Sequence, residues 1–287
     1  MFDQLIEPDA VISRSQETAM KLTHHPKNSP QGDRDACEQA QETAKENAHP
    51  DQFANPLIAQ ISELWKLRQS MVEAQRKLTL QGKAICRRFC DGDKKEADKL
   101  YTSITKGTGH AMSDRAMPAI LPIIMAQEPL IAQRKAFEKT LSKMGKELPI
   151  AFMSDHIKGV NTMTLATIVG ELGDLSAYAK GIDGIMKRAG LAVIEGERQR
   201  MKSGADAALL HGYSPNRRSV FWNIGGALIK AQGTDGPYRL VYDQRKELEL
   251  SRGLTKSHAH NRAMRHMTKA LLRHLHRAWV CHMARAQ

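Results

Sequence analysis

Residues 57–85 read LIAQISELWKLRQSMVEAQRKLTLQGKAI, and the apolar residues of this stretch recur at alternating steps of three and four. They are Leu57, Ile61, Leu64, Met71, Leu78 and Ile85. This is the a/d spacing of a coiled coil, in which the apolar stripe of one helix packs against a partner helix. Arg68, Gln75 and Gly82 interrupt the stripe. The stretch therefore predicts a long helix with an imperfect coiled-coil seam.

A second stretch of the chain has the same spacing. Its apolar residues are Ile123, Leu130, Phe137, Leu141, Met144 and Leu148. Pro122 and Pro129 are expected to start or kink this helix. Joined through residues 91–117, the two helices predict an antiparallel coiled-coil hairpin, or half of an intermolecular bundle. We expect this coiled-coil region, residues 57–149, to form a homo-oligomer; the alternative is an ordinary helical core.

The composition favours helices over sheets. Aromatic residues make up 5% of the chain and methionine occurs 14 times, a balance that suits cores of Leu, Met and Ala. The sequence contains no apolar run of 18 residues, the length that would predict a membrane span. The four cysteines are scattered and form no C-x-x-C pair, which is typical of a reducing compartment. We expect a mainly α, cytoplasmic protein that does not engage a membrane.

Charge divides the chain unevenly. Residues 1–56 carry 5 Lys+Arg against 10 Asp+Glu and lack apolar periodicity, which predicts a disordered segment. Residues 200–287 carry 16 Lys+Arg against 5 Asp+Glu, a surplus close to the net charge of +12 of the whole chain. Such a basic region is typical of nucleic-acid binding, so double-stranded DNA is the first expected partner. The alternative is a basic surface that only confers solubility.

A glycine between two apolar residues marks the segment DHIKGVNTMTLATIVGELGDLSAYA, residues 155–179. Ile157 and Val160 flank the Lys158-Gly159 pair, and helical stretches lie on both sides. This layout is typical of a helix-hairpin-helix, in which backbone N–H groups at the start of the second helix meet a DNA phosphate. Lys158, Gly159 and Asn161 are therefore candidate DNA-binding residues. The alternative is a simple turn between helices with a C-cap glycine.

The last helix, expected from about residue 259 to 285, has an apolar stripe and a basic remainder. The stripe consists of Met264, Met267, Leu271, Leu275 and Trp279. The cations are Arg262, Arg265, Lys269, Arg273 and Arg277, and no acidic residue follows Glu249. A helix face of one sign indicates a charged ligand. The nearby histidines lack zinc-site spacing, so we interpret them as polar, basic surface.

A Ser-Gly pair, Ser203 and Gly204, lies in the stretch KSGADAALLHGYSPNRRSVFW, residues 202–222, which has a turn signal at residues 213–216. Five cations surround the pair in sequence: Arg198, Arg200, Lys202, Arg217 and Arg218. A serine that attacks phosphorus needs cations to stabilise the transferring phosphoryl group and a loop that allows close backbone approach. This predicts a nucleophilic serine held among phosphate-binding residues. The alternative is a structural serine in a surface loop.

The order of these motifs resembles a known family. After the Gly-Val hairpin come TLATIVGELGDLSAYA at residues 164–179, RAGLAVIEGE at 188–197 and the Ser-Gly pair. SPNRRSVFWNIGGALIK at 214–230 and HNRAMRHMTKALLRHLHRAW at 260–279 follow. The series, over roughly residues 150–280, resembles the C-terminal domain of insertion-sequence transposases that use a bridge RNA, relatives of the pilin-gene invertases.

The resemblance implies a basic, helical transposase-type domain over residues 150–287, acting in DNA transposition and recombination. In that family a serine of this domain attacks the DNA backbone and forms a covalent serine–DNA intermediate. Ser203 matches by position, and Ser219 in the Arg-Arg-Ser sequence is the second choice. A structured guide RNA is the further partner that the resemblance implies.

One departure from the family is large. Its usual N-terminal domain is a RuvC-like sheet that carries four acidic ligands for magnesium. Here 56 polar residues precede the coiled coil, and Asp3, Asp9, Asp33 and Asp35 have no strand pattern to hold them. We therefore expect no metal ligands in this chain and either a second polypeptide or loss of catalysis. The alternative function is a non-catalytic, dimeric nucleic-acid-binding module.

Overall fold

The computed structural model describes residues 55–178, 180–201, 208 and 210–286. Within these ranges the chain forms nine helices and two short strands. They are α1 (Pro56–Arg88), α2 (Lys94–Lys106), α3 (Ser113–Met144), α4 (Met153–His156), α5 (Thr162–Leu172), α6 (Gly181–Arg188), β1 (Val193–Ile194), β2 (Glu197–Arg198), α7 (Pro215–Ala231), α8 (Pro237–Ser251) and α9 (Lys256–Ala286). The prediction of a mainly α fold is confirmed. Of the segment predicted to be disordered, residues 1–54 lie outside the described part.

The chain divides into two compact units. Residues 63–141 form one, called the hairpin unit below. The other, called the C-terminal unit, contains the described residues before 63 and after 141. Helices α1 and α3 therefore each contribute to both units, whereas the sequence placed boundaries at residues 57 and 150.

Two pairs of polar side chains define the course of α1 and α3 in the hairpin unit. Arg68 of α1 forms an ion pair with Glu138 of α3 at 2.7 Å. Further along, Gln127 of α3 donates a hydrogen bond to Thr79 of α1 at 3.2 Å. Because residue numbers rise along α1 while they fall along α3, the two helices run antiparallel here.

The core of the hairpin unit lies where α2 packs against α1 and α3. Its buried members are Cys86, Ala97, Leu100, Tyr101, Ile104, Ala116 and Ile120. Gly82, which interrupts the predicted seam, is buried because the Tyr101 ring lies where a Cβ would stand. The Tyr101 hydroxyl accepts a hydrogen bond from Gln127 at 3.1 Å. An apparent flaw in the pattern is thus a point of close packing.

The middle of α1 is less buried than a coiled-coil seam requires. Among residues 66–81, all of them described, no side chain is fully buried, and Met71 and Leu78 are half-exposed. A two-helix contact leaves both sides of the seam open to solvent, because a single partner helix covers only one face. The periodicity in the sequence therefore predicted the helix better than the extent of its burial.

The prolines of α3 do not begin the helix. It starts at Ser113 and continues through Pro118, Pro122 and Pro129. All three prolines are exposed. The backbone carbonyls that lose a helical hydrogen bond can therefore bond to water instead. The expectation that Pro122 and Pro129 start or kink the helix is therefore wrong as to its start, which lies at Ser113.

In the C-terminal unit α5 is the most deeply buried helix. Residues 165–170 are all buried, and the start of α1 reaches them where the Ser62 hydroxyl donates to the Gly170 carbonyl at 3.4 Å. Asn161 caps α5 by accepting a hydrogen bond from the Thr164 N–H at 2.8 Å. Such a cap satisfies a backbone donor that the first turn of a helix leaves unpaired.

Helices α7, α8 and α9 supply the rest of this core. Gly225 of α7 is buried against α9, where a Cβ would meet the Thr268 hydroxyl oxygen at 2.8 Å. Tyr238 of α8 is fully buried and bonds through its hydroxyl to His274 of α9 at 2.8 Å. Close helix packing thus fixes the rotation of α9 and determines which of its cations reach the surface.

Candidate nucleic-acid interface

The apolar stripe predicted for the last helix is confirmed. Buried residues recur along one side of α9 and include Ala259, Ala263, Met264, Met267, Leu271, Leu275 and Trp279. The helix continues from Lys256 to Ala286, close to the expected ends. Because this stripe is buried, the cations of α9 are directed to its other sides.

Three of these cations form a row. Arg265, Lys269 and Arg273 follow one another at steps of four, which places them on one side of α9. Burial lowers the pKa of Lys269, and the neighbouring Arg265 and Arg273 lower it further, while Asp183 of α6 opposes them. The row is therefore crowded with positive charge, with Arg265 and Lys269 half-buried and Arg273 exposed.

Two arginines from other elements meet the beginning of this row. Arg218 lies on α7 and Arg198 on β2. Burial lowers the pKa of Arg265, and the charges of Arg218 and Arg198 lower it further. Burial also lowers the pKa of Arg218, with Arg198 again contributing. We call Arg198, Arg218 and Arg265 the arginine cluster.

The segment between α6 and β1 forms the floor of the arginine cluster. Arg265 donates from Nη2 to the Ala192 carbonyl at 3.1 Å. A Cβ on Gly190 would lie 3.5 Å from Cβ and Cδ of Arg218 and 3.6 Å from Cε2 of Tyr213, so these two side chains flank Gly190. With φ at +73°, Gly190 also holds a backbone conformation that other residues rarely adopt.

Gln199 holds this floor in place. It is 3% exposed, and its Nε2 donates to the Lys187 carbonyl at 2.8 Å and to the His211 carbonyl. Its own backbone N–H donates to the Ala192 carbonyl at 3.1 Å. One buried amide thus ties the end of α6, the β-hairpin and the chain before α7 together.

No described carboxylate pairs with a member of the arginine cluster. Arg218 lies over the Trp222 ring, with Cζ 5.7 Å from the ring centroid. The Nε of Arg265 is buried and has no hydrogen-bond partner among the described residues. Arg218 and Arg265 are half-buried, while Arg198 is exposed. A half-buried cation without a carboxylate raises the free energy of the unliganded protein, which an anion would lower.

Arg262, one turn before Arg265 on α9, has the opposite surroundings. It donates to Glu249 of α8 at 2.9 Å, and Arg245 lies 2.5 Å from the same carboxylate. Glu249 is completely buried, and its pKa is lowered because these arginine contacts outweigh the effect of burial. Arg262 was predicted to bind DNA, but its guanidinium is committed to this ion pair.

Arg217 is likewise engaged inside the protein. Its Nε donates to Glu171 of α5 at 3.1 Å and its Nη1 to the Arg188 carbonyl at 3.3 Å. Arg200 forms an exposed ion pair with Glu197 at 3.0 Å. Like Arg262, these two sequence-predicted cations are therefore paired with carboxylates, which distinguishes them from the arginine cluster.

The segment predicted as a helix-hairpin-helix uses its glycine for packing. Gly159 has φ at +93°, and a Cβ there would lie 2.9 Å from Cβ of Ala231 and 3.0 Å from Cα of Leu228. Lys158 is exposed, while its carbonyl accepts a hydrogen bond from Gln232 at 3.3 Å. The Gly159 position is therefore explained by its contact with α7.

The two candidate nucleophiles are Ser203 and Ser219. Ser203, with its neighbours Lys202 and Gly204, lies outside the described residues. Ser219 is exposed on α7 and donates to the Pro215 carbonyl at 3.0 Å, one helical turn back. This is a common local bond of serine in helices, and it directs the hydroxyl toward its own backbone.

Tyr213 is the residue at this site that sequence reasoning missed. It was assigned only to the turn signal before Arg217 and Arg218. In the structure it flanks Gly190 and is close enough to Arg218 and Arg265 to interact with their charges. An aromatic hydroxyl within a few residues of paired arginines was the available signal, but only the fold brings Arg265 to it.

Two histidines of α9 contradict the interpretation as basic surface. Burial lowers the pKa of His266 to about 4 and that of His274 to about 4, with neighbouring cations contributing. Both are therefore neutral at pH 7. His260 bonds to the Tyr242 hydroxyl at 2.7 Å, so the histidines serve the packing of α8 and α9.

Within the described part of the chain, no three histidine, cysteine or acidic side chains come together as metal ligands. None of the described helices is long and apolar enough to cross a membrane. No family model, curated protein or solved structure matches this chain.

Proposed function

We propose that this protein binds nucleic acid through the C-terminal unit, with the arginine cluster, Lys269 and Arg273 facing the phosphates. The observation that supports this is the arginine cluster, which has no described carboxylate partner and which Lys269 and Arg273 extend along one side of α9. A phosphate backbone supplies regularly spaced negative charge and releases its bound counterions when cations neutralise it. Double-stranded DNA and a structured RNA are both proposed as ligands, since phosphates carry the interaction in each.

The test is the affinity for a labelled DNA duplex and a labelled RNA hairpin at several salt concentrations. The double variant Lys269→Gln/Arg273→Gln removes two cations from α9. We expect it to weaken binding about tenfold and to reduce the slope of log K against log salt by about two, because each lost phosphate contact removes about one unit.

The matched control is Lys66→Gln/Arg76→Gln in the hairpin unit. It removes the same net charge from two exposed ion pairs with Glu63 and Glu73. Equal loss of affinity in both double variants would indicate attraction by net charge alone and would contradict an interface on α9. Absence of binding by the wild-type protein at low salt would contradict the proposal altogether.

A second proposed function is DNA strand exchange, in line with the resemblance to bridge-RNA transposases. The described residues on either side of the Ser203 segment lie close together beside the arginine cluster, since the Arg200 N–H donates to Nδ1 of His211 at 3.4 Å. In this proposal the Ser203 hydroxyl attacks a backbone phosphorus. A serine–phosphate ester forms, and the displaced deoxyribose oxygen leaves with the proton.

A denaturing gel of protein incubated with labelled supercoiled DNA, structured RNA and magnesium tests this step. Strand exchange predicts a labelled protein–DNA band that Ser203→Ala abolishes and Ser219→Ala retains. Loss of the band in Ser219→Ala alone would move the nucleophile to α7. No band in the wild type, with DNA binding intact, would favour the non-catalytic binding module.

We further propose that α1 and α3 form a coiled-coil hairpin that joins two copies of the chain. The hairpin unit exposes four large apolar side chains: Leu67, Leu80, Leu121 and Met125. A second copy would cover the half-exposed middle of α1. Light scattering should report a dimer, and Leu80→Lys with Met125→Lys should shift it to monomer, whereas Lys66→Gln should not.

The helix-hairpin-helix is proposed in a limited form, with Lys158 as its phosphate contact. The exposed Lys158 side chain lies beside the turn at Gly159. Lys158→Gln should weaken DNA binding by less than tenfold and leave stability unchanged. An unchanged affinity would leave this segment as a turn between two helices.

A further inference from the structure

We propose that Arg198, Arg218, Arg265 and the hydroxyl of Tyr213 form a discrete site for a single phosphate group. Where that phosphate belongs to a nucleic-acid backbone, the site rests on the proposed function and identifies where one phosphate is fixed. Free inorganic phosphate shares the chemistry and serves as the probe. The site differs from a generally basic surface in having a built floor and donors from separate elements.

The donors reach the site from four places in the chain. Arg198 comes from β2, Tyr213 from the segment before α7, Arg218 from α7 and Arg265 from α9. The sequence separation between Arg265 and the floor carbonyl that it contacts is 73 residues. Side chains so far apart in sequence converge only because the fold brings them together, which is typical of a binding site rather than of a charged helix face.

Two of the three cations, Arg218 and Arg265, are held in place before a ligand arrives, whereas Arg198 is exposed. Arg265 is anchored at one nitrogen by the Ala192 carbonyl, and Arg218 is packed between Gly190 and the Trp222 ring. An arginine fixed in this way loses less conformational entropy on binding than an exposed one. Its remaining N–H groups suit the oxygen atoms of a phosphate, which arginine binds through paired hydrogen bonds.

The floor permits close approach to the donors. Gly190 lacks a side chain at the point where Arg218 and Tyr213 flank the backbone. Gln199, buried beneath, bonds to three backbone segments and leaves none of its own amide atoms for a ligand. The floor is thus rigid and uncharged, and the positive charge comes from the rim.

Tyr213 completes the site with a neutral donor. Its ring is half-buried against Gly190, and no hydrogen bond of its hydroxyl to a described residue is present. A tyrosine hydroxyl can donate to a phosphate oxygen, a bond that typically contributes a few-fold to affinity. Tyr213→Phe therefore removes one donor while it keeps the ring packed.

The experiment measures the melting temperature of the full chain with increasing inorganic phosphate, against sodium chloride of equal ionic strength. At ten times Kd the wild type should melt about 3–5 °C higher in phosphate. Arg265→Gln and Arg218→Gln should each weaken the phosphate effect at least tenfold, and Tyr213→Phe about threefold. Lys256→Gln is the matched control, because it removes an exposed cation at the start of the same helix and should keep the effect.

Each outcome decides between the two proposals. If phosphate stabilises the wild type no more than chloride does, or if Lys256→Gln loses as much as Arg265→Gln, the discrete site is overturned. In that case, DNA binding that survives in the same preparation leaves the proposed function standing. Phosphate stabilisation that Arg265→Gln abolishes, without any DNA binding, would support the site and contradict the proposed function. Tyr213→Phe keeps the test decisive if an arginine variant fails to fold.

Discussion

Two groups of three arginines in the C-terminal unit differ in one respect. The first surrounds the buried carboxylate of Glu249 and consists of Arg245, Arg252 and Arg262. The second is the arginine cluster, which has no described carboxylate partner. Arg262 and Arg265 belong to different groups although one helical turn separates them. The comparison teaches that a count of basic residues does not identify the cations that are available to a ligand.

The first group is the more important for stability, which Glu249→Gln tests. Loss of a fully buried carboxylate leaves three arginines repelling one another, and the expected cost is about 3 kcal/mol. For a chain of this size that corresponds to a melting temperature about 6–12 °C lower. Thermal unfolding followed by circular dichroism measures the shift. Glu247→Gln, exposed on the same helix, is the control, and an equal effect there would break the comparison.

Acid should destabilise the C-terminal unit through two half-buried histidines of α9. His266 and His274 have a pKa of about 4 when folded and about 6.5 when unfolded. Between these values the unfolded chain binds more protons, so stability falls as pH drops from about 6.5 toward 4, by up to about 3 kcal/mol per histidine. At pH 7 and above, the two histidines make no such contribution.

Denaturant unfolding at a series of pH values measures this dependence. The double variant His266→Gln/His274→Gln should show a shallower decline over the same range. His258→Gln, an exposed position at the start of α9, should follow the wild type. A decline of equal steepness in all three proteins would show that His266 and His274 do not cause it, because Glu249, whose pKa is lowered in the folded protein, loses its stabilising effect only below its unfolded pKa of about 4.5.

Arg262→Gln and Arg265→Gln sharpen the comparison within one helix. We expect Arg262→Gln to lower stability by about 1–2 kcal/mol, because it breaks the ion pair with Glu249, and to leave DNA affinity within about twofold. Arg265→Gln should weaken DNA binding about tenfold and leave stability unchanged or higher, because it relieves crowding with Arg218. Binding and unfolding curves on the same samples measure both quantities. Similar effects of the two substitutions on either quantity would remove the distinction between the groups.

Local periodicity explains how much of the fold could be predicted. The a/d spacing of α1 and the stripe of α9 are properties of neighbouring residues, so helices follow from them directly. The start of α3 was missed because Pro122 reads as a helix breaker. The helix tolerates Pro122 because this residue is exposed, and its exposure depends on which face of α3 packs against the rest of the hairpin unit. Gly82 and Gly159 were likewise visible as glycines, but the ring and the helix that approach them come from distant parts of the chain.

The sequence predicted most of the residues of the candidate site but not which of them the fold brings together. Arg198, Arg218 and Arg265 were all among the expected phosphate ligands. So were Arg217 and Arg262, whose carboxylate partners Glu171 and Glu249 lie 46 and 13 residues away. Tyr213 was overlooked because a turn signal explained it sufficiently.

The amino-acid sequence by itself determined a mainly helical protein with a basic C-terminal region and a half-buried last helix, since composition and periodicity act over a few residues. The tertiary structure alone decided which of the cations remain without a carboxylate. Ion pairing requires side chains within about 4 Å, and only the packing of α5, α7, α8 and α9 brings some arginines to a glutamate and others to one another.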